Sequence, residues 1–175
     1  MPQEVFDLWF VGRVRNNGWP PTSPTWKRVL GNLPLHRWQK FVWHQEHVDL
    51  DQLMPTPNSE RIIGGLLGAN FQGIDNEYTN MLDDSQQKIC DIWAFITANE
   101  RLPSKLVLVR TEGGCHEVID GFHRLATYWV IRYGRPKREN VCSLAIAWIA
   151  KDEEPEQEPV RDGESAAAAP PPPVS

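Results

Sequence analysis

The sequence predicts a compact α+β domain, and three observations carry that prediction. Stretches of two-residue periodicity (KFVWHQEHVDL, KLVLVR, HEVID) alternate with stretches of helical periodicity. Two of the strand-like runs are joined by Thr111-Glu112-Gly113-Gly114, residue types suited to a tight turn, and the second run leads directly into a helical pattern. The 175 residues are enough for one domain with a sizeable core, and too few for two.

Taken in order, Val5 to Val14 is apolar on several faces and predicts a short buried helix or strand-like segment. Ser23, Pro24 and Gly31 stand at capping, first-turn and exit positions of a brief helix. In KFVWHQEHVDL, Phe41 and Trp43 fall on one face and Lys40, His44 and Glu46 on the other, as in a half-buried strand. PTPNSER is a proline-rich turn, and the glycines of GGLLGANFQGIDNEYTN leave that stretch unassigned. Asp84 and Gln87 form a capping box for a long helix with Ile89, Ile92, Trp93 and Ile96 on one face, stopped by Pro103. Leu106 to Asp120 is a β-hairpin, and Phe122 to Tyr133 is a helix closed by Gly134 and Pro136. VCSLAIAWIA is a continuous apolar run of the kind that forms a buried strand.

The charge is concentrated at one end. From Lys151 onward seven acids stand against two bases, a net of −5 that equals the formal charge of the whole chain. Residues 1–150 therefore sum to zero and form the domain. Residues 151–175, ending SAAAAPPPPVS, are expected to be a disordered tail. Three cysteines without paired spacing point to a reducing compartment. With no basic leader and no uncharged run near the ~20 residues that span a bilayer, the expected location is cytoplasmic, without a membrane partner.

The chemistry concentrates in GGCHEVIDGFHRLATYW, residues 113–129, which holds two near-copies of one phrase. In the second copy a strand ends at Asp120, the chain turns at Gly121, and a helix begins. A helix start leaves backbone N–H groups without partners at the positive end of the macrodipole. Gly121 allows close approach to the main chain, Arg124 brings a planar cationic fork, and His123 adds a donor. This is the composition of an anion site. The competing structural account has Asp120 cap the helix and Arg124 pair with a nearby acid. In the first copy, Gly113 and Gly114 serve the hairpin turn, Glu117 would repel an anion, and Cys115 has no helix start beside it to lower its pKa.

EVIDGFHRLATYW resembles the core motif of the ParB/sulfiredoxin superfamily, a strand ending in D-G-x-H-R followed by a helix. VDLDQLMPTPNSER is similar to the first strand and proline-containing box of that family. Later segments resemble its next helix, strand and closing strand, so the likeness covers roughly residues 40–150. The resemblance implies a small ParB/sulfiredoxin-like fold with a mixed sheet and a hairpin leading into a helix, preceded here by an N-terminal extension over residues 1–39. It also implies phosphate held at the helix start by Gly121, Phe122, His123 and Arg124. From the looser box, Arg61 would reach the phosphates and Glu60 would supply a second carboxylate. The catalytic cysteine of sulfiredoxins is replaced by Phe122, which disfavours sulfinic acid reduction. The helix-turn-helix with which chromosome-partitioning ParB proteins read DNA has no counterpart after Lys151.

The favoured function is therefore binding of a nucleotide triphosphate, with or without Mg2+, by a phosphotransferase or NTPase. Asp120 would hold the metal or act as base, and Arg124 would stabilise phosphoryl charge. An alternative is a nucleic-acid-binding or nuclease-like module. No acid occurs from Leu8 to Gln45, where six bases (Arg13, Arg15, Lys27, Arg28, Arg37, Lys40) interleave with Trp9, Trp19, Trp26, Trp38 and Trp43. A second alternative is a catalytically silent interaction domain with a protein partner or a second copy. His44 and His47 fall on opposite strand faces, against a metal shared with His36, and Asp75, Glu77 and Tyr78 would line the cleft or a lid.

Overall fold

A computed structural model describes residues 1–18, 26, 30, 33–72, 82–134 and 138–152. Among the described residues, five helices flank one mixed four-stranded sheet. Helix α1 is continuous through Gln3–Val5, a π-helical turn Phe6–Phe10, and Val11–Asn17. It is followed by α2 (Leu35–Lys40) and β1 (Val42–Asp49). Then come α3 (Pro57–Leu67), continued by a π turn Gly68–Gln72, and α4 (Leu82–Asn99). The chain closes with β2 (Leu106–Arg110), β3 (His116–Asp120), α5 (Phe122–Tyr133) and β4 (Leu144–Lys151). The strand order is β1-β4-β2-β3, with β4 and β2 parallel and the outer pairs antiparallel.

The central strands are apolar on both faces because both faces are covered. Leu106 and Leu108 of β2 point into a core shared with Ile63 of α3, Ile96 of α4 and Leu125, Tyr128 and Ile131 of α5. Val107 and Val109, at the alternate positions, enter a second core built from Val5, Trp9 and Phe10 of α1, with Trp26, Trp38 and Phe41. The N-terminal extension is thus the second layer of the domain. Glu4 fastens it by accepting hydrogen bonds from Lys105, Trp148 Nε1 and Gln45 across the sheet.

Several sequence expectations need correction. The proline box is the start of a helix: Thr56 is the N-cap, its hydroxyl accepting from the Ser59 amide, and Pro57 takes the first turn, where no amide hydrogen is needed. Gly64 and Gly65 lower helix propensity, yet buried Ile63 and Leu66 hold the segment against the core. Asp84 is not a cap, since α4 already begins at Leu82, and Gln87 bonds Asp91 one turn on instead. The domain extends past residue 150: Lys151 belongs to β4, and Asp152 pairs with Arg37. The helix expected around Ser23, Pro24 and Gly31, the segment with Asp75, Glu77 and Tyr78, and the tail beyond residue 152 lie outside the described residues.

One polar cluster ties α5 to the turn after β1. Asp51 accepts hydrogen bonds from Tyr128 (2.6 Å), Tyr133 (2.7 Å) and Arg132 (2.8 Å). Desolvation alone would raise its carboxyl, but those donors and the Arg132 charge outweigh it and bring the pKa down to about 2. A depressed carboxylate stabilises the fold above its ordinary value and loses that contribution as pH falls toward about 2. In thermal unfolding, Asp51→Asn is therefore expected to lie below wild type at neutral pH, with the gap closing between about pH 4 and pH 2. A gap that stays constant over that range would exclude the linkage.

Candidate functional site

The junction after β3 is made by a residue that only glycine replaces without strain. Gly121 has φ +117°, and a Cβ there would overlap Leu106 Cδ2 and come within 3.2 Å of Arg124 Nη2. It serves as N-cap of α5 with no side-chain capping bond, so Asp120 does not cap the helix. The first-turn amides of Phe122, His123 and Arg124 lie at the positive end of the helix, behind a glycine that has no side chain to cap them.

Arg124 does pair with an acid. Its Nη2 donates to Asp120 Oδ2 and its Nη1 to Ser104 Oγ, while its Nε is buried without a hydrogen-bond partner. The guanidinium is 13 % exposed and the Asp120 side chain 31 %, so the pair forms the inner wall of a recess. That recess is a cavity of about 300 Å3 lined by Arg13, Lys88, Ser104, Asp120, His123 and Arg124, with Ile92, Pro103 and Phe122 as its apolar part. Phe122 is half-buried and also packs against the helical core.

Among the described residues, three cationic side chains from three helices, Arg13 (α1), Lys88 (α4) and Arg124 (α5), line the cavity with one carboxylate, Asp120. Burial lowers the pKa of His123; Lys88, Arg124 and Arg13 lower it further, and Asp120 opposes them. These effects favour the neutral imidazole.

The sequence-derived residues are only partly brought together. Asp120, Gly121, Phe122, His123 and Arg124 line the cavity; Glu60 and Arg61 do not. Both are exposed in the first turns of α3, where Glu60 complements the positive end of that helix. Arg13, Lys88 and Ser104 were not foreseen, because they converge from α1, α4 and the loop before β2 with no local pattern linking them.

The first copy of the phrase has a structural use. Glu117 is buried and accepts hydrogen bonds from the Thr56 hydroxyl and from Asn58 Nδ2 (2.6 Å), and Ser59 Oγ accepts from the Val118 amide (2.8 Å). The proline box thereby latches the start of α3 to β3. Cys115 is a partly buried free thiol at the end of the hairpin turn. A second cavity, about 390 Å3, lies beside that turn and is larger, but its cations are engaged: Arg37 by Asp152 and Arg110 by Glu46.

Among the described residues, the tryptophans that the nucleic-acid alternative would stack on bases are packed in the core, the reading that their helix and strand spacing favours. Trp9, Trp26 and Trp38 are each at most 3 % exposed, and Trp43 packs partly buried against them. Trp19, Lys27 and Arg28 lie outside the described residues, and Arg13 and Arg37 line different cavities. Among the described residues no group of three metal-ligating side chains forms. Asp120 offers a single carboxylate, one oxygen of which already holds Arg124, so Mg2+ would take its remaining ligands from substrate phosphates and water. No family model, curated protein or solved structure matches the chain.

Proposed function

We propose that this protein binds a nucleotide through its phosphates at the Gly121–Arg124 junction. The observation that carries this reading is the presence of Arg13, Lys88 and Arg124 among the described residues lining a cavity that opens at the start of α5. The resemblance of VIDGFHR to the ParB/sulfiredoxin motif points the same way. Main-chain N–H groups of the first turn would take phosphate oxygens, and Arg124, fixed by Asp120 and Ser104, would present its charge without reorganising. When bound, a magnesium ion would neutralise phosphate charge. In a phosphoryl-transfer or hydrolysis reaction the same donors would stabilise charge spreading over the transferred group. Neutral His123 stands within the same lining to accept a proton from an attacking hydroxyl or water.

Titration calorimetry with a panel of nucleoside mono-, di- and triphosphates plus Mg2+ tests the proposal. Wild type should bind at least one of them. Arg124→Ala should weaken that binding by about ten- to a hundredfold, the range for losing charge-assisted hydrogen bonds. Arg124→Lys keeps the charge without the fork and should fall between the two. Wild type that binds no member of the panel, or a well-folded Arg124→Ala that binds as tightly, overturns it.

A further inference from the structure

Arg124 holds two oxygens at the cavity wall, and one of them is an alcohol. Its Nη1 donates to Ser104 Oγ and its Nη2 to Asp120 Oδ2. Ser104 lies in the loop before β2, exposed to solvent, and lines the same cavity as Gly121, His123 and Arg124. The residues on either side hold that loop in place. Leu102 is buried in the helical core, Pro103 lines the cavity beside Ser104, and Lys105 pairs with Glu4 at 2.6 Å. A serine fixed on both sides and open to solvent is presented to the cavity without further ordering.

The contact with Arg124 bears on what this hydroxyl can do. Serine is a weak nucleophile at neutral pH, and a cation donating to its oxygen favours the negative charge that develops there as the proton leaves. The guanidinium also sets position. It is planar and carries N–H donors beside the two that hold Ser104 and Asp120, so a phosphate oxygen on the same group lies next to Ser104 Oγ. Size agrees with this arrangement. About 300 Å3 is at the small end of ligand sites, enough for the phosphate end of a nucleotide with the serine at its wall.

We infer that Ser104 accepts a phosphoryl group from a nucleoside triphosphate bound in its own cavity, a self-modification that then closes the site. The inference rests on the phosphate reading above and adds the acceptor. A lone pair on Ser104 Oγ forms a bond to the terminal phosphorus, the bond from that phosphorus to its bridging oxygen breaks, and the nucleoside diphosphate leaves with the electron pair. The hydroxyl proton goes to solvent water, to which Ser104 is exposed. The phosphoserine carries about two negative charges at neutral pH and stays on the Arg124 guanidinium. It thereby takes the donors that an incoming nucleotide needs, so one turnover shuts the cavity.

The test uses the full chain, incubated with Mg2+ and each of adenosine, guanosine, cytidine and uridine triphosphate, and read by intact-mass and fragment mass spectrometry. Wild type should gain one phosphoryl group from at least one of them, at Ser104, at a rate independent of protein concentration. Ser104→Ala should stay unmodified while binding that nucleotide in calorimetry no more than about tenfold more weakly than wild type, since it loses one hydrogen bond to Arg124. Ser104→Thr keeps a hydroxyl and should be modified. The phosphorylated chain should bind the nucleotide at least about tenfold more weakly than the unmodified chain. Thermal unfolding of each variant separates a lost acceptor from a lost fold. Wild type that binds a nucleotide yet takes up no phosphoryl group, takes it up at another residue, or does so faster at higher protein concentration overturns the acceptor assignment and leaves the phosphate reading in place. Unchanged nucleotide binding after phosphorylation at Ser104 overturns the closure. Wild type that binds no nucleotide overturns both proposals together.

Discussion

Trp38→Ala is expected to lower the unfolding free energy by about 3–5 kcal/mol, the range for truncating a buried aromatic side chain. Trp38 is buried at the centre of the second core, stacked on Trp9 at 4.8 Å between ring centroids and edge-on to Phe41 at 5.5 Å. Its indole Nε1 donates to the Leu30 carbonyl at 3.2 Å, so alanine would open a large void and also remove one of the two hydrogen bonds that this carbonyl accepts, the other coming from the Leu33 amide. The consequence reaches the sheet, because Val107, Val109 and Ile119 share that core. Denaturant unfolding should show one transition at a lower midpoint, with Trp93→Ala, on an exposed face of α4, changing stability by less than about 1 kcal/mol. If residues 1–40 were an arm appended to a self-sufficient domain, Trp38→Ala would leave the main transition where it was. Such a result would remove the two-layer account of the core.

That account also explains which features were legible in the sequence. The hairpin and α5 were readable because their determinants are local: Gly113-Gly114 turns the chain, and Gly134 ends the helix after Tyr133, with its amide on the Val130 carbonyl. The central part of the site was readable for the same reason, since Asp120 to Arg124 are contiguous at one junction. The helix and strand spacing of the tryptophans favoured a buried layer, but aromatic residues among bases also suit a stacking surface, and tertiary contact separates the two. Helix α3 was obscured by Pro57 and Gly64-Gly65, which as composition signal a turn, although proline at the first helical position is a start signal. Arg13 and Lys88 lie 75 positions apart in the chain, and their convergence depends on how two layers meet at one end of a sheet. Glu117, expected to repel an anion, is instead turned toward Thr56 and Asn58, away from the lining of the Gly121 cavity.

The strongest single perturbation of the junction should be Gly121→Ala, with an expected loss of about 2–5 kcal/mol. Two costs combine. At φ +117° an L-residue is strained by about 1–2 kcal/mol whatever the space around it. In addition, the new methyl would meet Leu106, which is fully buried between the sheet and its helices and has no room to retreat, a kind of overpacking that costs about 1–3 kcal/mol. Gly114→Ala isolates the first cost, since Gly114 has φ +78° with open space where its Cβ would stand; it should lose only about 1–2 kcal/mol. Leu106→Ala isolates the second. That truncation is itself destabilising, but in its background Gly121→Ala should cost less than it does in wild type, by roughly the overpacking term. Denaturant unfolding of the four proteins of this cycle gives the coupling directly. Equal costs of Gly121→Ala in both backgrounds would show that the glycine is required for backbone conformation alone, and that the close packing of Leu106 beneath the helix start does not hold the junction in place.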